Sequence, residues 1–214
     1  MKMTKRFMTM AACAIMTFST AMSVTASATN INEQPTLISE SANAPITIIK
    51  SISGYSNYAV KQEGGGSCWA ACILSVLKYH DYRTTETIET IYTRANRLTG
   101  SNMSVGDTIL TSKLTVVINN YLGMDGASDL DDQMIRNHIA ADEPLILKIY
   151  VGSNLYHDVV LYGYEAVART DGLFFINKYR IMDPWTGTCS TVDLYNYNNN
   201  ICSYGGYYYY SDLI

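Results

Sequence analysis

The sequence of 214 residues lacks the features that mark several common classes of protein. It contains no HExxH motif and no paired CxxC motifs, which removes two frequent metal-binding patterns. It has no internal repeat and no low-complexity tract long enough to indicate disorder. Beyond residue 28, no segment reaches the roughly 20 apolar residues that a membrane span needs. We therefore expect a folded protein that uses no metal or other cofactor and has no stable membrane insertion.

Basic residues are also scarce, with 15 Lys and Arg against 19 Asp and Glu. Three of the basic residues, Lys2, Lys5 and Arg6, precede an uncharged stretch that ends in Ala-Ser-Ala at 26–28. This arrangement predicts a secretory signal peptide over 1–28, cleaved after Ala28. A membrane anchor fits less well, because Thr and Ser interrupt a rather short apolar stretch. Removing these three charges changes the net charge from −4 to −7. An acidic, secreted protein is a poor partner for nucleic acid.

The remaining chain divides into two segments, and within the second one the hydrophobic pattern changes from a helical to a strand period. Residues 29–50 are rich in Thr, Ser and Asn and predict a linker or a short pro-segment. Residues 51–214 predict one α+β domain, with a helical lobe followed by an antiparallel sheet or half-barrel and a site in the cleft between them. Helical spacing predicts helices over 67–80, 84–97, 107–122 and 129–141. Apolar and β-branched runs predict strands over 145–151, 157–167, 173–182, 188–197 and 204–210.

Four of the five cysteines lie beyond the predicted signal peptide. Cys68 begins the most apolar helix, directly after glycines 64–66, and Ser67 is placed to cap that helix. The helix N-terminus favours a thiolate, and the glycines allow a substrate backbone to approach, so Cys68 is the candidate nucleophile. Cys72 lies one turn further and is expected in the core. Cys189 and Cys202 predict a disulfide, with two reduced core cysteines as the alternative.

A thiol nucleophile needs a base, and the sequence has only three histidines. His80 is twelve residues from Cys68 on the same helix, about 18 Å away. His138 lies among polar residues of an amphipathic helix, which predicts a position facing solvent. His157 stands where a loop enters a strand, so its side chain is able to project into a cleft. His157 is therefore the candidate general acid and base.

A third group must orient the imidazole of His157. Asp183 ends an apolar run and precedes Pro184, which stops the strand. Asp158 is the rival, but adjacent strand residues point to opposite faces, which favours Asp183. Gln62, six residues before Cys68, is either an oxyanion donor or an ordinary surface glutamine.

Three short motifs resemble those of papain-like cysteine peptidases. Segment 62–71, QEGGGSCWAA, resembles the segment of that family in which a glutamine stands six residues before a cysteine followed by tryptophan. His157 heads an apolar strand, and DPW at 183–185 looks like the family's orienting Asn or Asp with a tryptophan two residues later. The chain order Cys, His, Asp and the order of helices and strands also agree. The motifs are most similar to those of short, secreted bacterial members with a Cys-His-Asp triad.

The resemblance implies a role for each matching residue. Cys68 would be the nucleophile, His157 the general acid and base, and Asp183 its orienting partner. Gln62 would donate to the oxyanion. Trp69 follows the nucleophile, and Trp185 would cover the His157–Asp183 hydrogen bond. The implied fold is the papain-like one.

We expect a secreted cysteine endopeptidase that hydrolyses peptide bonds through a thiolate–imidazolium pair and an acyl-enzyme. Its partner would be a protein or peptide substrate, and the sequence identifies no proteinaceous inhibitor. Two alternatives remain open. One is a cell-wall peptide amidase or transamidase of the same catalytic type, and the other is a catalytically silent secreted binding module on the same fold.

Overall fold

The computed structural model describes residues 44–81, 84–127, 130–152, 155–193 and 208–211. In chain order, the elements are β1 (Ile46–Ser51), α1 (Cys68–His80), α2 (Ile88–Thr99), α3 (Thr111–Leu122), β2 (Met124–Ala127), α4 (Asp132–Ala140), β3 (Leu145–Gly152), β4 (Leu155–Ala168), β5 (Phe174–Asp183), β6 (Thr188–Asp193) and β7 (Tyr208–Ser211). The helices precede most of the strands, so the predicted α+β order is confirmed.

All strand pairs of the sheet are antiparallel, in the order β2-β7-β3-β4-β5-β6. The longest strand, β4, organises this sheet. On one edge it pairs with β3 up to Leu161 and with β1 from Gly163 onward, while β5 lies along its other edge. Because β4 is central, it contacts β1, β3 and β5 through strand pairing and packs against α1.

The helix α1 is the apolar centre of the protein. Every residue from Cys68 to Val76 is buried, as the uncharged sequence of this helix predicted. It packs against β4, α2 and α3. Because the nucleophile candidate is the first residue of this buried helix, its backbone position is fixed by the core.

Several element boundaries differ from the predictions. The strand β1 begins at Ile46, within the segment 29–50 that we predicted as a linker or pro-segment, and it pairs with β4. The strand β2, which lies between α3 and α4, was not predicted, because its four residues show no alternation of apolar and polar side chains. The helix α3 begins at Thr111 rather than at Asp107, since Asp107 belongs to a turn that it closes by accepting from the amide of Ser104.

Among the described residues, no helix has both the length and the apolar character that a membrane span requires. The predicted signal peptide at 1–28 and the rest of the segment before residue 44 lie outside these residues.

Candidate active site

The turn before Cys68 is packed tightly against a second glycine-containing loop. Gly64 has a φ of 83°, a conformation that favours glycine. A Cβ atom on Gly66 would lie only 2.5 Å from the carbonyl oxygen of Gly106. The hydroxyl of Ser67 donates to the carbonyls of Glu63 and Gly64 and does not cap α1, so that prediction was wrong. The glycines therefore serve a close contact between two backbones, which fixes where α1 begins.

Trp69 holds the loop that faces this turn. Its indole Nε1 donates to the carbonyl oxygen of Asp107 at 3.3 Å, and the hydroxyl of Tyr92 donates to the same oxygen at 2.6 Å. The two rings pack together with centroids 4.7 Å apart. Trp69, which follows the candidate nucleophile, therefore fixes the loop at Asp107 against the start of α1.

His157, Asp183 and Trp185 form one connected group. The imidazole Nε2 donates to Oδ1 of Asp183 at 2.8 Å, and the backbone N–H of Trp185 donates to the same oxygen at 2.9 Å. The indole of Trp185 stacks on the imidazole, with centroids 4.0 Å apart and an interplanar angle of 14°. His157 is almost completely buried. The hydrogen bond and the stack fix the ring plane and leave Nδ1 as the nitrogen available for proton exchange.

The Cys68 thiol contacts the residue next to His157. Its Sγ lies 3.6 Å from Oδ2 of Asp158, and Nζ of Lys148 lies 3.5 Å from the same oxygen. Burial, and secondly the charge of Asp158, raise the pKa of Cys68 to about 12. Our expectation that the helix N-terminus favours a thiolate therefore does not hold for this arrangement, because desolvation outweighs the helix dipole.

Asp158 does not orient the imidazole, in agreement with the preference for Asp183. Asp158 was predicted only as a rival for that role, and its contact with the thiol was not predicted. Part of the signal was in the sequence, because a carboxylate on a buried strand needs a partner. The register that places Lys148 directly opposite Asp158 comes only from the structure.

Gln62 connects the two halves of the site. Its backbone N–H donates to the carbonyl oxygen of Pro184 at 2.9 Å, which ties the segment before Cys68 to the turn after Asp183. Its side-chain Nε2 donates to the carbonyl oxygen of Gly64 at 2.7 Å, and its Oε1 is buried without a hydrogen-bond partner. The glutamine is therefore part of the site's framework and not an isolated surface residue.

The other histidines and cysteines lie outside this group. His80 ends α1, far from Cys68, as predicted. His138 is only 3% exposed, so the prediction that it faces solvent was wrong; its burial is possible because Nδ1 lies 3.1 Å from Oε2 of Glu143. Cys72 is fully buried, and Cys189 is half-buried with a free thiol.

The predicted partner of Cys189, Cys202, lies outside the described residues. Within the part of the chain that the structure describes, no group of three or more His, Cys, Asp or Glu side chains is arranged to hold a metal ion.

Comparison with known proteins gives one family. The model of a family described as "Papain-like cysteine protease AvrRpt2" matches residues 52–202. No curated protein matches the chain. Among solved structures, the peptidase domain of Streptococcus ComA, a bi-functional ABC transporter involved in a quorum-sensing pathway, matches with 18% identity and a TM-score of 0.46. That match covers 72% of this chain and 97% of the ComA domain.

Proposed function

Because this chain belongs to the family of papain-like cysteine proteases, it is a cysteine peptidase, and we propose that it is a secreted endopeptidase with Cys68 as its nucleophile. His157 acts as general acid and base, and Asp183 orients His157. The hydrogen bond of 2.8 Å between His157 and Asp183, under the stacked ring of Trp185, carries this proposal. This hydrogen bond fixes the ring plane of the base, His157. The next residue in the chain, Asp158, contacts the candidate nucleophile Cys68.

The proposed reaction proceeds through an acyl-enzyme. The Sγ proton of Cys68 passes to Nδ1 of His157, and the thiolate attacks the carbonyl carbon of the substrate. The imidazolium then protonates the leaving amine, which breaks the peptide bond and leaves a thioester. Water, deprotonated by His157, attacks the thioester, and the released thiolate regains a proton from the imidazolium.

The oxyanion of each tetrahedral intermediate needs hydrogen-bond donors. The backbone N–H of Cys68 at the start of α1 is one candidate, and Nε2 of Gln62 is the other. In the structure this amide donates to the carbonyl oxygen of Gly64. It therefore has to exchange that partner for the oxyanion when the substrate binds.

The assignment of the nucleophile is tested by replacement of cysteines one at a time. Cys68→Ala is expected to abolish casein hydrolysis while the far-ultraviolet circular dichroism spectrum stays unchanged. The matched control is Cys189→Ala, which removes a free, half-buried thiol outside the site and is expected to retain activity. A Cys68→Ala protein that still hydrolyses casein at the wild-type rate would show that the assignment is wrong.

The substrate class is tested in the same experiment, in which the wild-type protein is also incubated with purified cell wall as a second substrate. An endopeptidase cleaves casein and leaves the peptide stems of the wall intact. Cleavage of the wall alone would instead identify a cell-wall amidase, and no turnover of either substrate would indicate a binding module.

Secretion is supported by the basic start and uncharged stretch of residues 1–28. The expected result is a protein in the culture medium whose N-terminal residue is Thr29. A protein that remains in the cell with Met1 intact would contradict secretion.

A further inference from the structure

The contact between Cys68 and Asp158 is not used by the proposed reaction. We propose that Asp158 is a positioning residue, which holds the Cys68 thiol in a resting arrangement by accepting its S–H, with Lys148 compensating the carboxylate. The nucleophile then forms only when Sγ leaves Asp158 for the imidazole of His157. This inference rests on the proposed role of Cys68.

The geometry places one carboxylate oxygen between a thiol and an ammonium group. Oδ2 of Asp158 is 3.6 Å from Sγ of Cys68 and 3.5 Å from Nζ of Lys148. A sulfur atom is large, so 3.6 Å is within reach of a weak S–H donor. Asp158 is only 3% exposed, and its other oxygen, Oδ1, is buried without a hydrogen-bond partner.

A buried carboxylate with one unpaired oxygen is costly, and such a group in a native site calls for a reason. Orientation of the imidazole is not that reason, because His157 already donates to Asp183. Lys148 pairs with only one of the two carboxylate oxygens, the same Oδ2 that contacts Cys68. The distinguishing feature of this position is its contact with Cys68.

The electrostatic effect on the thiol has a definite sign. A negative charge beside sulfur disfavours the thiolate, and the positive charge of Lys148, which contacts the same carboxylate oxygen, opposes this effect. Burial and Asp158 together raise the pKa of Cys68, while Lys148 lowers it. Among the described residues, the titratable groups that interact with Cys68 are Asp158 on β4, Lys148 on β3, Cys72 on α1 and Tyr92 on α2. His157 on β4 interacts with Asp158, and Asp183 on β5 interacts with Cys72.

The pH dependence of Cys68 alkylation by iodoacetamide, followed by mass spectrometry of the Cys68 peptide, tests this proposal. Asp158→Asn keeps the shape of the side chain and removes its charge. We expect its alkylation profile to move down by at least about one pH unit, which makes alkylation at pH 7 at least about tenfold faster. The matched control is Asp171→Asn, an exposed carboxylate paired with Arg169, which is expected to give the wild-type profile.

Asp158→Asn leaves the charge of Lys148 unpaired, which could impair folding, so a second variant is needed. The double variant Asp158→Asn with Lys148→Met removes the whole ion pair, a change that is often tolerated when the side chains keep their volume. Its profile is also expected to move down. If either folded variant gives the wild-type profile, Asp158 does not hold the thiol, whatever the change in stability.

The alkylation test and the test of the proposed function can fail separately. Alkylation reports on the thiol itself, whereas casein hydrolysis by the Cys68→Ala variant reports on the enzyme activity. A shifted alkylation profile in a protein that turns over no substrate would therefore support the role of Asp158 and contradict the proposed endopeptidase.

Discussion

The imidazole Nε2 of His157 lies 2.8 Å from Oδ1 of Asp183, although the two residues are 26 positions apart in the chain. The antiparallel pairing of β4 with β5 brings them together, since Val160 lies opposite Met182. The turn after β5 then folds Trp185 over the ring. The hydrogen bond and its cover are thus products of strand register, and each component is open to a separate test.

Replacement of Asp183 tests the orienting hydrogen bond. Asp183→Ala removes the acceptor for Nε2 and for the N–H of Trp185, and is expected to lower kcat/KM by at least about 100-fold. Asp183→Asn keeps an acceptor oxygen and is expected to retain more activity than the alanine variant. Peptide hydrolysis measured over substrate concentration decides this order, with Asp193→Ala at the exposed end of β6 as control. Wild-type activity in the alanine variant would mean that the hydrogen bond does not matter.

Trp185→Ala tests the cover on the imidazole. The indole is 41% exposed, so its loss is expected to change the free energy of unfolding little. Loss of the stack frees the ring plane of His157, and kcat/KM is expected to fall by about 2- to 10-fold, as the energy of an aromatic pair suggests. Phe175→Ala is the control, because this ring is 40% exposed and lies near the other end of β5. Similar losses of activity in both variants would rule out a specific role for the stack.

Gly66→Ala tests the contact between the turn before Cys68 and the loop at Gly106. The new Cβ would lie 2.5 Å from the carbonyl oxygen of Gly106 and 2.8 Å from the backbone of Asp107, so the backbone has to move. We expect a loss of about 1–3 kcal/mol in the free energy of unfolding, together with reduced activity. At Gly65, an added Cβ meets nothing within 4 Å, so Gly65→Ala is the control. Urea denaturation of the two variants, compared side by side, checks the prediction, which fails if both behave like the wild type.

His138→Ala separates a structural histidine from the catalytic candidate. It removes the buried partner of Glu143 and is expected to cost about 1–3 kcal/mol in the free energy of unfolding, with kcat/KM unchanged at a temperature where the protein is folded. His157→Ala is expected to abolish hydrolysis. Thermal unfolding and peptide hydrolysis of both variants provide the comparison. A His138 variant that is stable but inactive would contradict the division of roles.

The order of helices and strands could be predicted from local patterns, because apolar period and turn residues act within a few positions. The buried helix α1 is the clearest case, since the nine buried residues from Cys68 to Val76 carry no charge and leave no face for solvent. The strand β1 was missed because Thr, Ser and Asn around it gave its segment the composition of a linker, and β2 because it has only four residues. In the structure β1 pairs with β4, and β2 pairs with β7. A partner strand leaves no mark in the local sequence.

The candidate site shows the same division. Gln62, Cys68, His157 and Asp183 were selected by chain position and by resemblance, and the structure ties His157 to Asp183 and Gln62 to the turn after Asp183. The burial of His138 could not be foreseen, because it depends on Glu143 beyond the end of α4. An amphipathic pattern predicts which face of a helix is polar, but it does not predict which other residues pack over that face.

The sequence alone determined which residues are able to do the chemistry, because a nucleophile, a base and an acceptor are fixed by residue type. It also placed Cys68 at the start of a helix after glycines. Only the tertiary structure decided the state of that thiol. Burial and the carboxylate of Asp158 raise its pKa to about 12, against the helix dipole that the sequence indicated. Desolvation and the charges of neighbouring strands depend on the packing of the whole chain, so they cannot be deduced from one helix.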